Sequence, residues 1–533
     1  MRNILQLLSR NESKLKYIVV LFSFYCAIIV GQSWDEGYYK IIGKINLDYL
    51  LSFGSINEEF YGKYRYSTIY WTFSSLLGQF FPKEYNVEAH HIINTVFGLF
   101  SILGLYKIVK KLFNKNIGKI SCVFLFLTPT FFGHLAINSK DTIMASVHLW
   151  ISYYLIKYIF KNLNFKERLS LILKISLLSA IGTGIQLVFL GSMLPFFLFF
   201  LITCLYLGKF KKDLCIDIIL YLIIFYLILI LFWVDVHSNI FVLPYKFFLN
   251  AMSLETGWPF NLYNGKYFFS NSAPINYILS NLYYKLPEFI LYLYLIAIPI
   301  MIIKRNELKS YFSFFKFKIF LVISILIYPN IIMLFIPYAI YDGLRLFLWF
   351  IPYLTIIPAI CLYFIYKNQK KIIFNINIYF ITILFLYHLI IFFSITPYQY
   401  AYLNILSGKK NEQYKKFEND YWSTSLKELI LNSNLDQKKT IKFSSCGINH
   451  RIAIKYMSKK YPKALYTELN KADYLILTNR TLYSDKKKEI TNCFDEFTFK
   501  NISAVSRNGN ILSAIKKIEE LILKRLKIKN QTF

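Results

Sequence analysis

Long apolar runs recur along most of this 533-residue chain, and they constrain its fold more than any other feature of the sequence. A helix needs about 20 apolar residues to cross the hydrocarbon core of a bilayer. The sequence contains about eleven candidate runs: 17–33, 89–106, 117–133, 142–160, 169–185, 187–207, 214–234, 286–303, 317–337, 346–366 and 372–394. The hydrophobic fraction of 56% agrees with this pattern. The predicted class is therefore a polytopic α-helical membrane protein.

Basic residues are concentrated in short loops between these runs, where the signals that orient membrane proteins lie. With eleven spans and a cytoplasmic N-terminus, all of these loops fall on the cytoplasmic side. The basic loops are 107–119, 157–168, 208–213, 304–318 and 367–371. The opposite face receives 34–88, 134–141, 235–285, 338–345 and the chain after about 395. These segments hold most of the distinctive polar residues, so we expect the chemistry on the outer face of the cell inner membrane.

Charge and cysteine usage exclude several other classes. The first apolar run follows a basic segment and has no small-residue cleavage pattern, so we interpret it as a retained span. The net charge of +31 does not indicate a nucleic-acid partner, because no basic face with a binding motif occurs. No cysteines have CxxC spacing, which argues against a thiolate metal site. Cys446 and Cys493 lie in the polar C-terminal part and could form a disulfide if that part lies outside the cytoplasm.

Residues 66–81 are apolar, but their hydropathy is weaker than that of the candidate spans. They lie within an outer segment that is too long for a plain connector. We therefore expect an amphipathic helix in the membrane interface, with Tyr70 and Trp71 at the level of the lipid headgroups.

The tail after 395 differs in character from the rest of the chain. It contains charged residues, a stretch with helical spacing and short strand-like runs such as "KTIKF" and "YLILTN". Asn508-Gly509 between two apolar runs indicates a β-hairpin. The predicted domains are a transmembrane catalytic region, 1–394, with outer-face loops 34–88 and 235–285, and an extracytoplasmic soluble α/β domain, 395–533.

Two adjacent acids, Asp35 and Glu36, stand where the first span leaves the bilayer, with aromatic residues on both sides. Partial removal from water raises the pKa of a carboxyl group toward a value useful for proton abstraction. The same pair could hold a divalent metal ion, although two acids alone make a weak site. The alternative is an ordinary solvated loop on the side that lacks lysines.

A second polar cluster, "FFGHLAINSKDT", lies between the third and fourth spans. It brings His134, Asn138, Lys140 and Asp141 to the outer membrane edge. Asp141 could be only the N-cap of the next helix. A lysine on the outer side opposes the orientation trend, so Lys140 is a candidate partner for a phosphate or a carboxylate.

A third cluster, within "IPYAIYDGLRLFLWFIPY", places Asp342 and Arg345 at the outer start of a late span. Arginine is an uncommon choice in a chain that prefers lysine, and its planar fork suits phosphate oxygens. The alternative is a surface pair between these two residues, which would contribute little to stability.

The long outer loop 255–288 is rich in aromatic and amide side chains. Tyr263 could stack on a sugar face while Asn264 bonds to sugar hydroxyls. The alternative is an aromatic belt at the level of the headgroups.

Taken in this order, the clusters resemble the GT-C superfamily of membrane glycosyltransferases, and most closely bacterial members of glycosyltransferase family 39, the protein O-mannosyltransferase group. The resemblance rests on "WDEGYY", "FFGHLAINSKD", the "GWPFNLYNGKYF" loop, "YDGLR", "PYQYAYLN" and "FENDYWSTSLKE". Ser139 and Leu346 depart from the proline and histidine that relatives often have at these positions. These departures bear on the details of phosphate binding more than on the roles of the acidic residues.

The resemblance implies an enzyme that moves a sugar from a polyprenyl-phosphate donor to a hydroxyl or amine of a protein, lipid or glycan acceptor, with inversion of the anomeric centre. Asp35 matches the family's catalytic base, Glu36 would assist it, and Asp141 matches the second acidic position. Lys140 and Arg345 are the candidates for the carrier phosphate. No cofactor is certain, although a divalent metal is possible.

A rival hypothesis is a non-enzymatic transporter, flippase or envelope assembly scaffold with the same fold. Transport predicts ionisable side chains at mid-bilayer depth. Here the distinctive charges cluster at the outer ends of the apolar runs, and the runs themselves are nearly free of charge. This distribution favours the enzyme.

Overall fold

The computed structural model describes residues 12–55, 66–209, 212–251, 258–335, 339–436, 439–485 and 487–518. Within these ranges, six helices are long and apolar enough to cross a membrane. They are Lys83–Leu112, Asp141–Phe160, Phe165–Ile185, Lys212–Leu231, Phe315–Phe335 and Ile372–Ser394. The pair Tyr277–Lys285 and Glu288–Ile303, bent by 117°, adds a seventh if it is one broken span. The predicted class, a multi-pass α-helical membrane protein, is confirmed.

Each of the eleven predicted runs contains helix, but several are not one long helix. The run 187–207 is split near Met193 into a single turn and a 13-residue helix. The run 117–133 ends its main helix at Phe126 and continues as a separate turn that begins at Pro129. Helix length therefore does not establish eleven spans.

The remaining helices of the membrane region are shorter. They are Glu12–Ile29, Glu36–Leu51, Ile69–Gly78, Lys115–Phe126, Pro129–Phe132, Phe189–Ser192, Leu194–Tyr206, Val242–Ala251, Arg305–Tyr311, Ile351–Leu354 and Ile356–Lys367. Many large apolar side chains on these and the longer helices are exposed, as at Leu21, Ile298 and Ile390. An outer surface of this kind suits lipid rather than water.

The helix Ile69–Gly78 forms where the sequence predicts an interfacial helix, but its aromatic rings face protein. Tyr70 and Trp71 are each only 2% exposed. The Trp71 ring stacks on Tyr39 with centroids 4.5 Å apart, and its Nε1–H donates to Ser139 Oγ at 3.2 Å. The prediction that these rings lie at the headgroups is wrong, because neighbouring helices bury them.

The C-terminal part contains a five-stranded mixed sheet with the order β4-β3-β5-β9-β8. Its strands are β3 (Ile441–Cys446), β4 (Ala464–Tyr466), β5 (Tyr474–Thr478), β8 (Asn501–Arg507) and β9 (Asn510–Lys517). Strands β3, β4 and β5 are parallel, whereas β9 is antiparallel to both β5 and β8. The helices of this part are Leu426–Asn432, His450–Lys460 and Cys493–Glu496. The predicted α/β character of the tail is confirmed.

Two local features of this part match the sequence. Asn508 and Gly509 both have positive φ, at 50° and 79°, as a tight β-hairpin turn requires. Cys446 and Cys493 form a disulfide, a possibility that the sequence left open.

Two small hairpins complete the strand content of the described residues: β1 (Phe260–Tyr263) with β2 (Lys266–Phe269), and β6 (Thr481–Ser484) with β7 (Glu489–Asn492).

The C-terminal part packs directly on the segment that follows the helix Glu12–Ile29. Gly31 N–H donates to Thr424 O at 3.1 Å, and Trp34 N–H donates to Trp422 O at 3.2 Å. A Cβ at Gly133 would overlap the backbone nitrogen of Tyr400, so only glycine allows this close approach. The segment that carries Gly31 and Trp34 is therefore in direct backbone contact with the C-terminal part.

Candidate active site

Arg345 lies at the centre of the candidate site and links two acids from distant parts of the chain. Its Nη2–H donates to Asp35 Oδ2 at 3.1 Å, and its Nε–H donates to Asp141 Oδ2 at 3.0 Å. The guanidinium side chain is 3% exposed. The structure thus brings together three of the sequence-predicted residues. The alternative of an Asp342–Arg345 surface pair is wrong, since Arg345 is buried and pairs with other acids.

Asp141 is positioned by Asn138 and does not cap the helix itself. Asn138 Oδ1 accepts from Asp141 N–H at 2.9 Å and from Lys140 N–H at 3.2 Å. The Asn138 amide also donates to Asp141 Oδ2 at 2.9 Å. Asp141 is the first residue of its helix, where the helix dipole favours a carboxylate. The N-cap interpretation of Asp141 is therefore wrong, and Asn138 acts as a positioning residue.

Asp35 is the most accessible acid of this cluster. Its side chain is 34% exposed, against 2% for Asp141. The Arg345 guanidinium lies 4.1 Å from the Trp422 ring and 5.4 Å from the Tyr341 ring, so aromatic faces fix its plane. One cation shared by two carboxylates leaves the cluster with a formal charge of −1 when both acids are ionised.

Glu36 faces a different partner from its neighbour Asp35. Its Oε1 lies 2.7 Å from His91 Nε2. His91 Nδ1 must carry a proton, because it lies 2.9 Å from the Ala27 carbonyl oxygen, which only accepts. Glu36 and His91 therefore share a further proton within the helix interface. Glu36 and His91 lie 55 positions apart in the chain, so no local sequence pattern pairs them.

Divalent metal binding by the acid pair finds no support in this geometry. Asp35 bonds to Arg345 and Glu36 to His91, so the two carboxylates do not converge. Between Asp35 and Asp141, a guanidinium occupies the place where a cation would sit. No group of three His, Cys, Asp or Glu side chains suited to a metal ion occurs within the described ranges.

His134 and Lys140, both predicted site residues, have different surroundings. His134 is buried, with Nδ1 2.7 Å from Thr130 O, and burial lowers its pKa to about 4. It is therefore neutral at physiological pH. The Lys140 ammonium lies 5.2 Å from the Tyr66 ring. Burial alone would lower the pKa of Lys140, but Tyr66 and Asp141 raise it above its usual value, so it remains a cation.

Tyr263 and Asn264 belong to the β1–β2 hairpin and are not joined to the Arg345 cluster by contacts in the described part of the chain. The Tyr263 ring is buried against Tyr277 and Phe417. Asn264 has a φ of 47° and forms the hairpin turn with Gly265. Their predicted role in sugar binding stays a prediction.

A second group of charges lies beside the Arg345 cluster, and the sequence pointed only to Asp342 among them. Burial raises the pKa of Asp342 to about 6, although Lys285 and Arg345 oppose the shift. Burial also raises the pKa of Glu418 to about 7, against a hydrogen bond from Thr481 N–H and the charge of Arg480. These residues come from four separate segments, so no local pattern could have grouped them.

The raised pKa of Glu418 predicts a pH dependence of stability. Between pH 4.5 and about 7 the folded protein holds a proton at Glu418 that the unfolded chain has lost. The free energy of unfolding therefore falls as the pH rises through this window, by at most about 1.4 kcal/mol per pH unit. We expect the free energy of unfolding of Glu418→Gln to decrease less with pH than that of the wild type.

The measurement is the unfolding midpoint in detergent from about pH 5 to about pH 7.5, the window in which this site titrates. The matched control is Glu412→Gln, because Glu412 is exposed. Parallel curves for the wild type and Glu418→Gln would contradict the prediction.

Comparison with known proteins begins with the sequence. A family model described as dolichyl-phosphate-mannose-protein mannosyltransferase matches residues 76–235. The matched residues are less than a third of the chain, and they include the helices that carry His91 and Asp141. No curated protein matches the sequence significantly.

The fold gives the more extensive likeness. It is similar to that of ArnT from Cupriavidus metallidurans in the apo state, with a TM-score of 0.51 and 9% identity, over 95% of this chain and 98% of that chain. This chain has the GT-C fold. The GT-C fold that the sequence motifs predicted is thereby confirmed.

Two further solved structures with the GT-C fold are similar at lower scores. ArnT from Cupriavidus metallidurans bound to undecaprenyl phosphate matches with a TM-score of 0.49 and 10% identity, over 94% of this chain and 96% of that chain. The apo oligosaccharyltransferase from Archaeoglobus fulgidus matches with a TM-score of 0.45 and 11% identity, over 87% of this chain and 69% of that chain.

Proposed function

We propose that this protein is an inverting glycosyltransferase that moves a sugar from a polyprenyl-phosphate donor to a hydroxyl or amine acceptor on the outer face of the inner membrane. The observation that carries the proposal is the Asp35–Arg345–Asp141 cluster within a GT-C fold. The matched family model, whose description names a polyprenyl-phosphate sugar, supports the class of donor.

Asp35 is the proposed catalytic base. It is the accessible acid of the cluster, and its carboxylate accepts a hydrogen bond from the Arg345 guanidinium. Asp35 takes the proton from the acceptor O–H or N–H as the acceptor atom attacks the sugar C1. The C1–O bond to phosphate breaks on the opposite side of C1, which inverts the anomeric centre and releases the polyprenyl phosphate.

Lys140 is the proposed partner of the donor phosphate. Arg345 was an equal candidate from the sequence, but its guanidinium is buried between Asp35 and Asp141. The Lys140 ammonium forms no hydrogen bond or ion pair with the described residues, so its charge is available to a ligand. A cation there would stabilise the charge that develops on the leaving phosphate.

The proposed orientation places the C-terminal part outside the cytoplasm, with the division between domains near 394. The Cys446–Cys493 disulfide supports this placement, because disulfides persist in oxidising compartments. The basic loops between membrane helices support a cytoplasmic N-terminus. A protein, a lipid and a glycan all remain as candidate acceptors.

A donor panel tests the proposal. The purified protein in liposomes would receive radiolabelled polyprenyl-phosphate sugars together with bacterial envelope acceptors, and label leaving the donor fraction would be followed. Protein-free liposomes are the control. Donor-specific transfer above this control supports the proposal. Absence of transfer with every donor would contradict it and leave the transporter, flippase or scaffold hypothesis.

A further inference from the structure

Arg480 of the C-terminal part occupies an aromatic box that lies next to the proposed base. Its guanidinium carbon is 3.9 Å from the centroid of the Trp34 ring, 4.3 Å from that of Trp258 and 4.2 Å from that of Tyr421. Its Nη2–H donates to Tyr421 Oη at 3.0 Å. Trp34 belongs to the predicted outer segment 34–88, Trp258 to the predicted outer loop 235–285, and Tyr421 to the C-terminal part. A single cation therefore joins three separate parts of the chain.

The backbone around Arg480 is fixed by contacts within the C-terminal part. Arg480 O accepts from Cys493 N–H at 3.1 Å, and Cys493 is tied to Cys446 by the disulfide. Thr481 N–H donates to Glu418 Oε1 at 2.9 Å. The guanidinium is therefore presented from a fixed turn that follows β5.

Trp34 is the link between this box and the candidate active site. It immediately precedes Asp35, and its N–H donates to Trp422 O at 3.2 Å. The Trp422 ring in turn lies over Arg345, which bonds to Asp35. The segment that carries Asp35 is thus held by two guanidinium groups: Arg345 bonds to the Asp35 carboxylate, and Arg480 lies over the Trp34 ring.

We infer that Arg480 is a positioning residue for the proposed transfer reaction. It acts through Trp34 to hold the Asp35 carboxylate where it can take the acceptor proton, so the C-terminal part completes the active site. This inference rests on the proposed function. A planar guanidinium stacks on ring faces and presents its donors in a fixed fork, whereas an ammonium is a compact point charge without that planar face.

The first test is a kinetic one in the liposome assay. We expect Arg480→Lys to lower kcat by up to about 10²-fold, because a displacement of about 1 Å at a reacting group has an effect of that size. The KM for the donor should change far less, since Arg480 does not contact the proposed phosphate site. The matched control is Arg451→Lys, because Arg451 is exposed. An unchanged kcat for Arg480→Lys would overturn the inference.

A double-mutant cycle tests whether Arg480 acts through Trp34. Trp34→Phe and Arg480→Lys should each lower kcat, and the double variant should be scarcely worse than either single variant. Non-additive effects are the signature of residues that share one interaction. Additive effects would show that the two residues act independently and would overturn the inference.

Hydrogen exchange supplies a readout that does not need activity. Arg480→Lys should raise amide exchange in residues 31–36 and leave β3 and β5 unchanged, because the box holds the first outer segment rather than the sheet. Unchanged exchange in residues 31–36 would overturn the inference. If the wild type transfers no sugar, the proposed function fails, and raised exchange would then reduce Arg480 to a structural clamp.

Discussion

Asp35→Asn should abolish sugar transfer, with a loss of about 10²–10⁴-fold, the contribution of a general base to a reaction of this kind. The substitution keeps an oxygen that can accept the Arg345 Nη2–H, so the geometry of the cluster survives. What disappears is the ability to take up the acceptor proton. The measurement is the initial rate of label transfer in liposomes at saturating donor.

Asp48→Asn is the matched control for this prediction. Asp48 lies on the helix Glu36–Leu51, which begins directly after Asp35, but it is exposed. The control variant should transfer sugar at the wild-type rate. If Asp35→Asn retained activity within about tenfold of the wild type, a smaller loss than general-base removal gives, Asp35 would not be the base.

Arg345→Met should affect both stability and activity. It leaves the buried Asp141 carboxylate without the guanidinium that bonds to it, and breaking a buried ion pair in this way costs about 3–5 kcal/mol. Asp35 loses the group that orients it, so transfer should fall as well. Thermal unfolding in detergent measures the first effect, and the liposome assay measures the second.

A second substitution separates the two effects. Adding Asp141→Asn to Arg345→Met removes the unpaired buried charge and should recover part of the lost stability, because the two residues are in direct contact. Activity should not recover, since Asp35 still lacks its partner. Arg305→Met, at an exposed arginine, is the control. Failure of the double variant to gain stability would show that the Arg345–Asp141 pair is not the source of the loss.

The sequence predicted where the important side chains lie along the chain. Apolar runs located the helices, because a helix in lipid needs a continuous apolar stretch that can be recognised from the sequence alone. The same runs placed Asp35, Asp141 and Arg345 at helix ends on one face. The Asn508-Gly509 turn was equally readable, because a two-residue turn depends on local backbone preferences.

The pairing of those side chains was not predictable from one sequence. Arg345 bonds to residues 310 and 204 positions away, and only tertiary packing decides such contacts. The prediction for Trp71 was wrong for a related reason. An aromatic ring that contacts lipid headgroups and one that contacts a neighbouring helix can have the same local sequence. No sequence pattern pointed to Arg480, since the three aromatic residues that surround it lie far from it in the chain.

The backbone hydrogen bonds from Gly31 and Trp34 to Thr424 and Trp422 connect the beginning of the chain to its last quarter. During synthesis, the membrane helices leave the ribosome long before Trp422 and Arg480 exist, and domains fold in that order. Asp35 therefore acquires its complete surroundings only after nearly the whole polypeptide has been made. Biogenesis itself delays the assembly of the candidate site, so under the proposed function a nascent or truncated chain in the bilayer would be unable to transfer sugar.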